Sequence, residues 1–388
     1  MRVLHSVQVF LNLSENWIYP QIVSVRGVQG RVMCSSVRYP GSFPLGETRL
    51  IVYPPPWDRA LGIPRLLNAL ARRLGVEGAI SRFRVRLWRP QILHAHHGTQ
   101  GWESIRLKKR LKIPLVTSFY GYDAWRLPRM DPAWKHRYDQ LFDTGEVFLV
   151  EGPAMRSRLC ELGCPPKKVR IQRLGVDLSS LPFTKRCFSN GLKIAMVGRF
   201  VEKKGLIDGL RACALARRLG ARLTVTIIGD TSADDADGLR LKGELSNIAS
   251  GAELSGRVDF AGFLPLDQMR TLLRDHNVFL CPSKHAVDGD AEGGSPVVLT
   301  EAMAMGLLCI GTRHCDIPEV ILDGKTGFLC DEGDTAGLAE LLSKIEHTTI
   351  EQHEMIRVAR QHVEENFSLE TQMGKLRSLY ETLQTMPA

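Results

Sequence analysis

Lys193-Ile194-Ala195-Met196-Val197 runs directly into Gly198-Arg199-Phe200-Val201-Glu202-Lys203-Lys204-Gly205. After its lysine the first stretch is apolar, has the length of a buried strand and stops at a glycine. From Leu206 to Leu219 apolar residues then recur at helical spacing. A strand, a glycine-bounded turn and a helix, in that order, form the repeating unit of a parallel sheet covered by helices. The turn also carries a charge anomaly. Lys203 and Lys204 oppose the macrodipole of the helix they precede, which favours anions there by a few tenths to about 1 kcal/mol. A bound diphosphate would satisfy both the cations and the free helix amides, whereas a flexible lysine pair reaching into solvent is the plainer alternative.

Downstream the pattern repeats. Apolar runs at Leu223 to Ile228, Val258 to Phe260, Val278 to Cys281, Leu308 to Gly311 and Gly327 to Cys330 alternate with helical stretches such as Gln268 to His276 and Thr335 to His347. Upstream lies a similar series, Val3 to Phe10, Ile92 to Ala95, Leu115 to Phe119, Val147 to Val150 and Val169 to Leu174. The two series are separated by Pro182, Ser189, Asn190 and Gly191, a linker by composition. The sequence therefore predicts an α/β protein of two Rossmann-like, doubly wound parallel-sheet domains facing across a cleft. Their expected bounds are 1–180, a linker at 181–192, 193–365, and a C-terminal helix over 366–388 returning to the first domain. Its 388 residues exceed one ordinary hydrophobic core. In such sheets, ligands bind beyond the carboxyl ends of the strands.

A second loop of that kind follows Val278 to Cys281 and ends Glu292-Gly293-Gly294-Ser295-Pro296 before the apolar helix that carries Glu301. Gly293 and Gly294 permit close backbone approach, Ser295 can cap, and Pro296 suits a first helical turn. Glu301 has Leu299, Ala302 and Met303 as neighbours, so its carboxylate needs buried donors, and vicinal ribose hydroxyls are suitable ones.

Composition narrows the class. Hydrophobic residues make up 44% of the chain, no apolar run approaches a membrane span, and Asn12, Ser14, Glu15 and Asn16 interrupt any leader-like segment. Nine scattered cysteines lack metal-site spacing and read as reduced thiols of a cytoplasmic protein. The net charge of +9 suits phosphorylated substrates or an anionic membrane face. Nucleic acid is not expected as a partner, because no nucleic-acid-binding motif accompanies the charge. The Arg-rich stretch Arg65 to Arg89 is the candidate for peripheral contact with an anionic membrane, a solvated basic face being the alternative.

The stretch Gly198 to Gly205, the loop ending Glu301-Ala302-Met303-Ala304, and Thr312-Arg313-His314-Cys315-Asp316-Ile317-Pro318-Glu319-Val320 through Asp323-Gly324-Lys325-Thr326-Gly327-Phe328-Leu329 together resemble glycosyltransferase family 4. The likeness continues in Ser14-Glu15-Asn16-Trp17-Ile18, His94-Ala95-His96-His97-Gly98, Ser118-Phe119-Tyr120-Gly121-Tyr122-Asp123, Glu151-Gly152-Pro153 and Gly175-Val176-Asp177, nearly the whole chain. Within the family it is nearest the exopolysaccharide, colanic-acid-type branch. The resemblance implies a GT-B fold and a retaining transfer of a sugar from a nucleotide diphosphate donor to a glycan or polyprenyl-linked glycan, with no cofactor and no metal. It implies that Arg199 and Lys204, with Gly198, bind the donor diphosphate, that Glu301 holds the ribose, and that Glu292 with the amides of Gly293, Gly294 and Ser295 meets the donor sugar and its phosphates.

Two departures from the family pattern stand out. Eight residues separate Glu292 from Glu301, one more than is usual. Tyr120 occupies the place of a family histidine that contacts the donor sugar near the reacting carbon, and a tyrosine there still offers a hydroxyl. These departures motivate an alternative, a catalytically silent nucleotide-sugar-binding subunit; a sugar-nucleotide epimerase or glycan phosphorylase fits the motifs less well. Other polar candidates have plainer readings. His94 and His96 share a strand face without carboxylate partners, which argues against a metal site. Asp235, Asp237, Asp288 and Asp290 read as loop acids. His314 is either near the donor or a surface-loop histidine. Asp123 is an acceptor-side anchor or a helix cap. Trp17, Trp102 and Trp125 could stack on an acceptor sugar, with packing as the default.

Overall fold

A computed structural model describes residues 1–12, 15–46, 49–52, 79–345 and 349–385. Ser14 of the N-terminal motif, and residues 65–78 of the Arg-rich stretch, lie outside these. The chain divides into two compact units, one of Met1–Val150, Arg156–Gln172 and Gln372–Ala388, the other of Glu151–Met155 and Arg173–Thr371. Each is built on an all-parallel sheet with helices packed on it, the Rossmann-like arrangement. Among the described residues no helix is long and apolar enough to cross a membrane.

The first unit contains β1 (Arg2–Ser6), β2 (Val9–Phe10), β3 (Gln29–Cys34), β4 (Ser36–Val37), β5 (Leu50–Val52), β6 (Ile92–His96), β7 (Leu115–Ser118), β8 (Val147–Val150) and β9 (Val169–Ile171). Its main sheet has the order β5-β3-β1-β6-β7-β8-β9, and β2 pairs with β4 alone. The order reverses between β1 and β6, which pair in register at His5 and His94. The crevice of such a sheet opens at that reversal, so the loops after β1 and β6 are its functional edge.

The second unit contains β10 (Leu192–Val197), β11 (Leu223–Ile228), β12 (Val258–Gly262), β13 (Val278–Cys281), β14 (Leu308–Thr312) and β15 (Phe328–Cys330), in the order β12-β11-β10-β13-β14-β15. At the centre of the sheet both faces are buried, because apolar side chains alternate to either side along β10, β13 and β14, whereas the edge strand β12 leaves Asp259 and Phe260 exposed. Ile194, Met196, Leu280 and Ile310 enter one core, while Ala195, Phe279, Cys281 and Cys309 enter the other. The reversal here lies between β10 and β13, paired at Ala195 and Phe279. The stretch 181–192 is held firmly to this unit. Phe188 is buried in its core, and the Arg186 guanidinium donates to the Met305 carbonyl at 2.7 Å and the Gly306 carbonyl at 3.2 Å. Those carbonyls directly follow the helix Val297–Ala304, where a cation complements the acceptor-rich end.

Candidate active site

The loops after β10 and β13 emerge side by side because their strands are neighbours at the reversal. The loop after β10 makes a short 3-10 turn, Glu202–Lys204, before the helix Leu206–Arg218. Gly205 joins them at φ +60°, and a Cβ there would lie 1.8 Å from the Pro282 carbonyl oxygen, so the position admits glycine only. Gly198 leaves room for the Lys204 stem, whose Cγ sits 3.0 Å from where a Cβ would be. The lysine tip therefore reaches the second loop. Lys204 Nζ lies 2.8 and 2.9 Å from the two carboxylate oxygens of Glu292, and Ser283 Oγ donates to Glu292 at 2.7 Å.

Burial opposes ionisation of Glu292, but Lys204 and then Lys203, with the hydrogen bonds from Lys204 and Ser283, outweigh it and hold the carboxyl at about 2. Glu292 is thus a fixed anion at physiological pH. Lys203 is turned elsewhere, to Asp290 at 3.1 Å and to the Ala291 carbonyl at 3.0 Å. Arg199 is exposed and, among the described residues, forms no ion pair. Asp290, and Asp235 at the N-cap of the helix Ala236–Ala249, have local structural partners of their own.

Gly293 and Gly294 bring the backbone close to its surroundings: Gly293 has φ +83°, and a Cβ on Gly294 would meet the Glu151 carboxylate. The Ser295 hydroxyl oxygen is buried without a partner among the described residues, and Glu151, Ser295, Thr300 and Asp316 line one recess. Asp316 accepts from the amide of Ala154 at 2.7 Å. Glu301 is buried and forms an ion pair with Arg270 from the helix Leu266–Leu273, a partner set by tertiary packing rather than by any local motif. Burial pushes the Glu301 carboxyl upward, and the Arg270 guanidinium pulls back without cancelling that.

His314 is fully buried rather than a surface-loop histidine. Its Nε2 accepts the Glu292 amide at 3.1 Å and its Nδ1 lies 2.7 Å from Glu332. Burial lowers its pKa, only partly offset by Glu332 and Glu292.

In the first unit Tyr120 belongs to a hydrogen-bonded chain. Its hydroxyl lies 2.8 Å from His96 Nδ1 and accepts from Gln21 at 3.3 Å, and His96 Nε2 lies 3.0 Å from His5 Nδ1. His94 is engaged with Tyr380 at 2.6 Å and Ser118 at 2.8 Å. The three buried histidines are close enough to suggest a metal cluster, yet of their ring nitrogens only His5 Nε2 lacks a partner.

Asp123 ties two loops together by accepting from the amides of Gly98 at 2.8 Å and Tyr120 at 3.1 Å. His97, at φ +75°, stands between Glu15 and Asp123, 3.7 Å from each. A histidine in that backbone region is strained, a condition that clusters at functional sites. Trp17 packs 6.0 Å from the Tyr120 ring, Trp102 bonds Gln140, and Trp125 stacks under Arg158.

Two family models match the chain, Glycosyltransferase Family 4 over residues 26–180 and Glycosyl transferases group 1 over residues 182–362. WcaL of Salmonella typhimurium, named as a colanic acid biosynthesis glycosyltransferase, is 33% identical over 300 residues, 75% of this chain and 70% of that protein. The amylovoran biosynthesis glycosyltransferase AmsK of Erwinia amylovora is 31% identical, with 75% of this chain and 70% of that protein covered. Among solved structures, HepE of Anabaena in complex with UDP and glucose superposes with a TM-score of 0.75 at 16% identity, covering 98% of this chain and all of that one.

Proposed function

Because the chain belongs to glycosyltransferase family 4 and has two GT-B-type Rossmann-like domains, we propose that it is a retaining hexosyltransferase that takes its sugar from a nucleotide diphosphate donor. The acceptor in this reading is a glycan, free or carried on a polyprenyl lipid, in exopolysaccharide or lipopolysaccharide biosynthesis. The names of WcaL and AmsK support that setting, and the UDP and glucose bound by HepE support the donor class. The observation that carries the proposal is the convergence of Lys204 on Glu292 at the reversal point of the second sheet, with exposed Arg199 on the same loop as Lys204.

In this mechanism the bond from the sugar's anomeric carbon to the diphosphate oxygen breaks. The acceptor oxygen bonds that carbon from the same face, and the acceptor proton passes to the departing phosphate. Arg199 and Lys204 neutralise the charge that develops on the leaving group, the task a metal performs in other enzymes. Glu292 orients the donor sugar, Gly293, Gly294 and Ser295 approach the sugar and phosphates, and Glu301 accepts from the ribose, positioned by Arg270. Tyr120 offers its hydroxyl on the first unit's edge. Peripheral membrane contact is part of the reading. The helix Ala79–Trp88 exposes Phe83 and Leu87 beside Arg86 and Arg89, an apolar and cationic combination suited to an anionic bilayer surface.

The test is thermal stabilisation of the purified chain by UDP, GDP, ADP, dTDP and their sugars, with and without EDTA. Stabilisation by one nucleotide family, insensitive to EDTA and reduced in Lys204→Ala and Arg199→Ala, is expected. Undiminished stabilisation in both variants overturns the site. Tight donor binding with no transfer to any glycan acceptor favours a silent binding subunit, which the engagement of the Tyr120 hydroxyl by His96 would then explain.

A further inference from the structure

The loop after β14 places His314 and Cys315 directly against the glycine loop. The Glu292 amide donates to His314 Nε2 at 3.1 Å, and the Gly293 amide donates to the Cys315 sulfur. Two successive amides of one loop are thus held by two successive side chains of another. Cys315 adopts φ +46°, the left-handed region that a non-glycine residue enters at a cost. That conformation lets both neighbouring side chains serve the same loop.

Because the Glu292 amide is a donor, Nε2 of His314 must carry a lone pair. The ring proton therefore sits on Nδ1, where Glu332 Oε1 accepts it at 2.7 Å. Glu332 is fixed in turn by the His285 amide at 2.8 Å and by the His285 ring, 2.9 Å away. Protonated His314 would oppose one N–H to another at Nε2.

We propose that His314 and Cys315 are positioning residues that hold the glycine loop in shape for the donor, with Glu332 selecting the histidine tautomer. This rests on the assignment of the Glu292 loop to the donor sugar. The charged and titratable groups facing His314 are Glu332 after β15, Glu292 and His285 from the loop after β13, and its neighbour Cys315. Burial is the leading cause that lowers the His314 pKa from 6.5, so the unfolded chain takes up this proton first. The contribution of the neutral ring is full above about 6.5 and is drawn down as pH falls below it.

The experiment compares full-length wild type with His314→Phe, Glu332→Ala, Cys315→Ala and Cys315→Ser by amide hydrogen exchange. Ring ¹⁵N shifts of His314 and thermal stabilisation by UDP, GDP, ADP and dTDP complete the set. We expect wild-type His314 with its proton on Nδ1. The Glu292 amide should exchange at least about tenfold faster in His314→Phe and Glu332→Ala while the β10 and β13 amides stay protected. Cys315→Ala should free the Gly293 amide, and Cys315→Ser should restore it. The nucleotide that stabilises wild type should do so less in His314→Phe, and wild type should approach that variant only as pH falls from 6.5 through the lowered value of the folded His314 ring. A proton on Nε2, or unchanged Glu292 exchange in folded His314→Phe, overturns the proposal. Faster exchange with undiminished nucleotide stabilisation overturns its link to the donor. If no nucleotide stabilises even wild type, the donor reading fails, and the exchange and tautomer results alone decide whether these residues position the loop.

Discussion

Replacing Lys204 by methionine removes the principal counter-charge of a buried carboxylate while keeping most of the stem that packs on Gly198. Glu292 is held at about 2 instead of 4.5, a preference for the ionised form worth roughly 3 kcal/mol at about 1.4 kcal/mol per unit. Lys203 and Ser283 share in that preference, so we assign about 2 kcal/mol to Lys204. Lys204→Met should therefore lose about 2 kcal/mol at pH 7, and Lys204→Met with Glu292→Gln should recover to within about 1 kcal/mol of wild type, because the stranded charge is gone. A depressed carboxylate pKa contributes stability above its unfolded value and loses it as pH falls through the folded one. The wild-type contribution should accordingly fade between about 4.5 and 2. In Lys204→Met the stranded glutamate protonates at higher pH, so the gap to wild type should narrow by pH 4. The assay is urea denaturation followed by far-UV circular dichroism, since all six tryptophans fall within residues 1–150 and report the first unit. A loss below about 0.5 kcal/mol, or a double variant no more stable than the single, would refute the claim that Glu292 is a buried anion dependent on Lys204.

Gly205→Ala should destabilise the second unit by more than about 3 kcal/mol, read by the same denaturation, because its Cβ would collide with the Pro282 carbonyl at a positive φ. Burial raises the Asp316 carboxyl to about 6, so its ionised form costs stability at neutral pH and the cost is relieved as pH falls towards 3.8. Asp316→Asn, which keeps an acceptor for the Ala154 amide, should gain about 1 kcal/mol at pH 7.5 and nothing at pH 4.5; a loss at both would contradict this. Phe83→Ser with Leu87→Ser should reduce sedimentation with phosphatidylglycerol vesicles severalfold and leave nucleotide stabilisation unchanged, and equal sedimentation would remove this helix from any membrane contact.

The central strands of the second unit could be read from sequence because they send apolar side chains to both faces, so Ile194 and Ala195 carry the same signal though they enter different cores. β3 of the first unit is illegible for the converse reason. In Gln29–Cys34 the fully buried side alternates with half-buried Arg31 and Met33, and the strand opens on glutamine and glycine. The segment 181–192 looked like a linker because composition records Pro182 and Gly191 but not that Arg186 would complete the end of a helix more than a hundred residues away. The same limit governs the site. Lys204 and Glu292 could each be singled out locally, as a cation at a helix start and an acid before a glycine loop. Their pairing, and the roles of Ser283, Arg270, Glu332 and Cys315, depend on which strands lie adjacent in the sheet. The need for a partner was nevertheless visible: a glutamate among Leu299, Ala302 and Met303 demands a donor. Periodicity supplied the helix bearing Arg270, within Gln268 to His276, but not that it meets Glu301, which follows only once β13 and β14 have set the register of the second loop against the sheet. Local chemistry thus announces that a polar group has a task, and sheet order decides which group meets it.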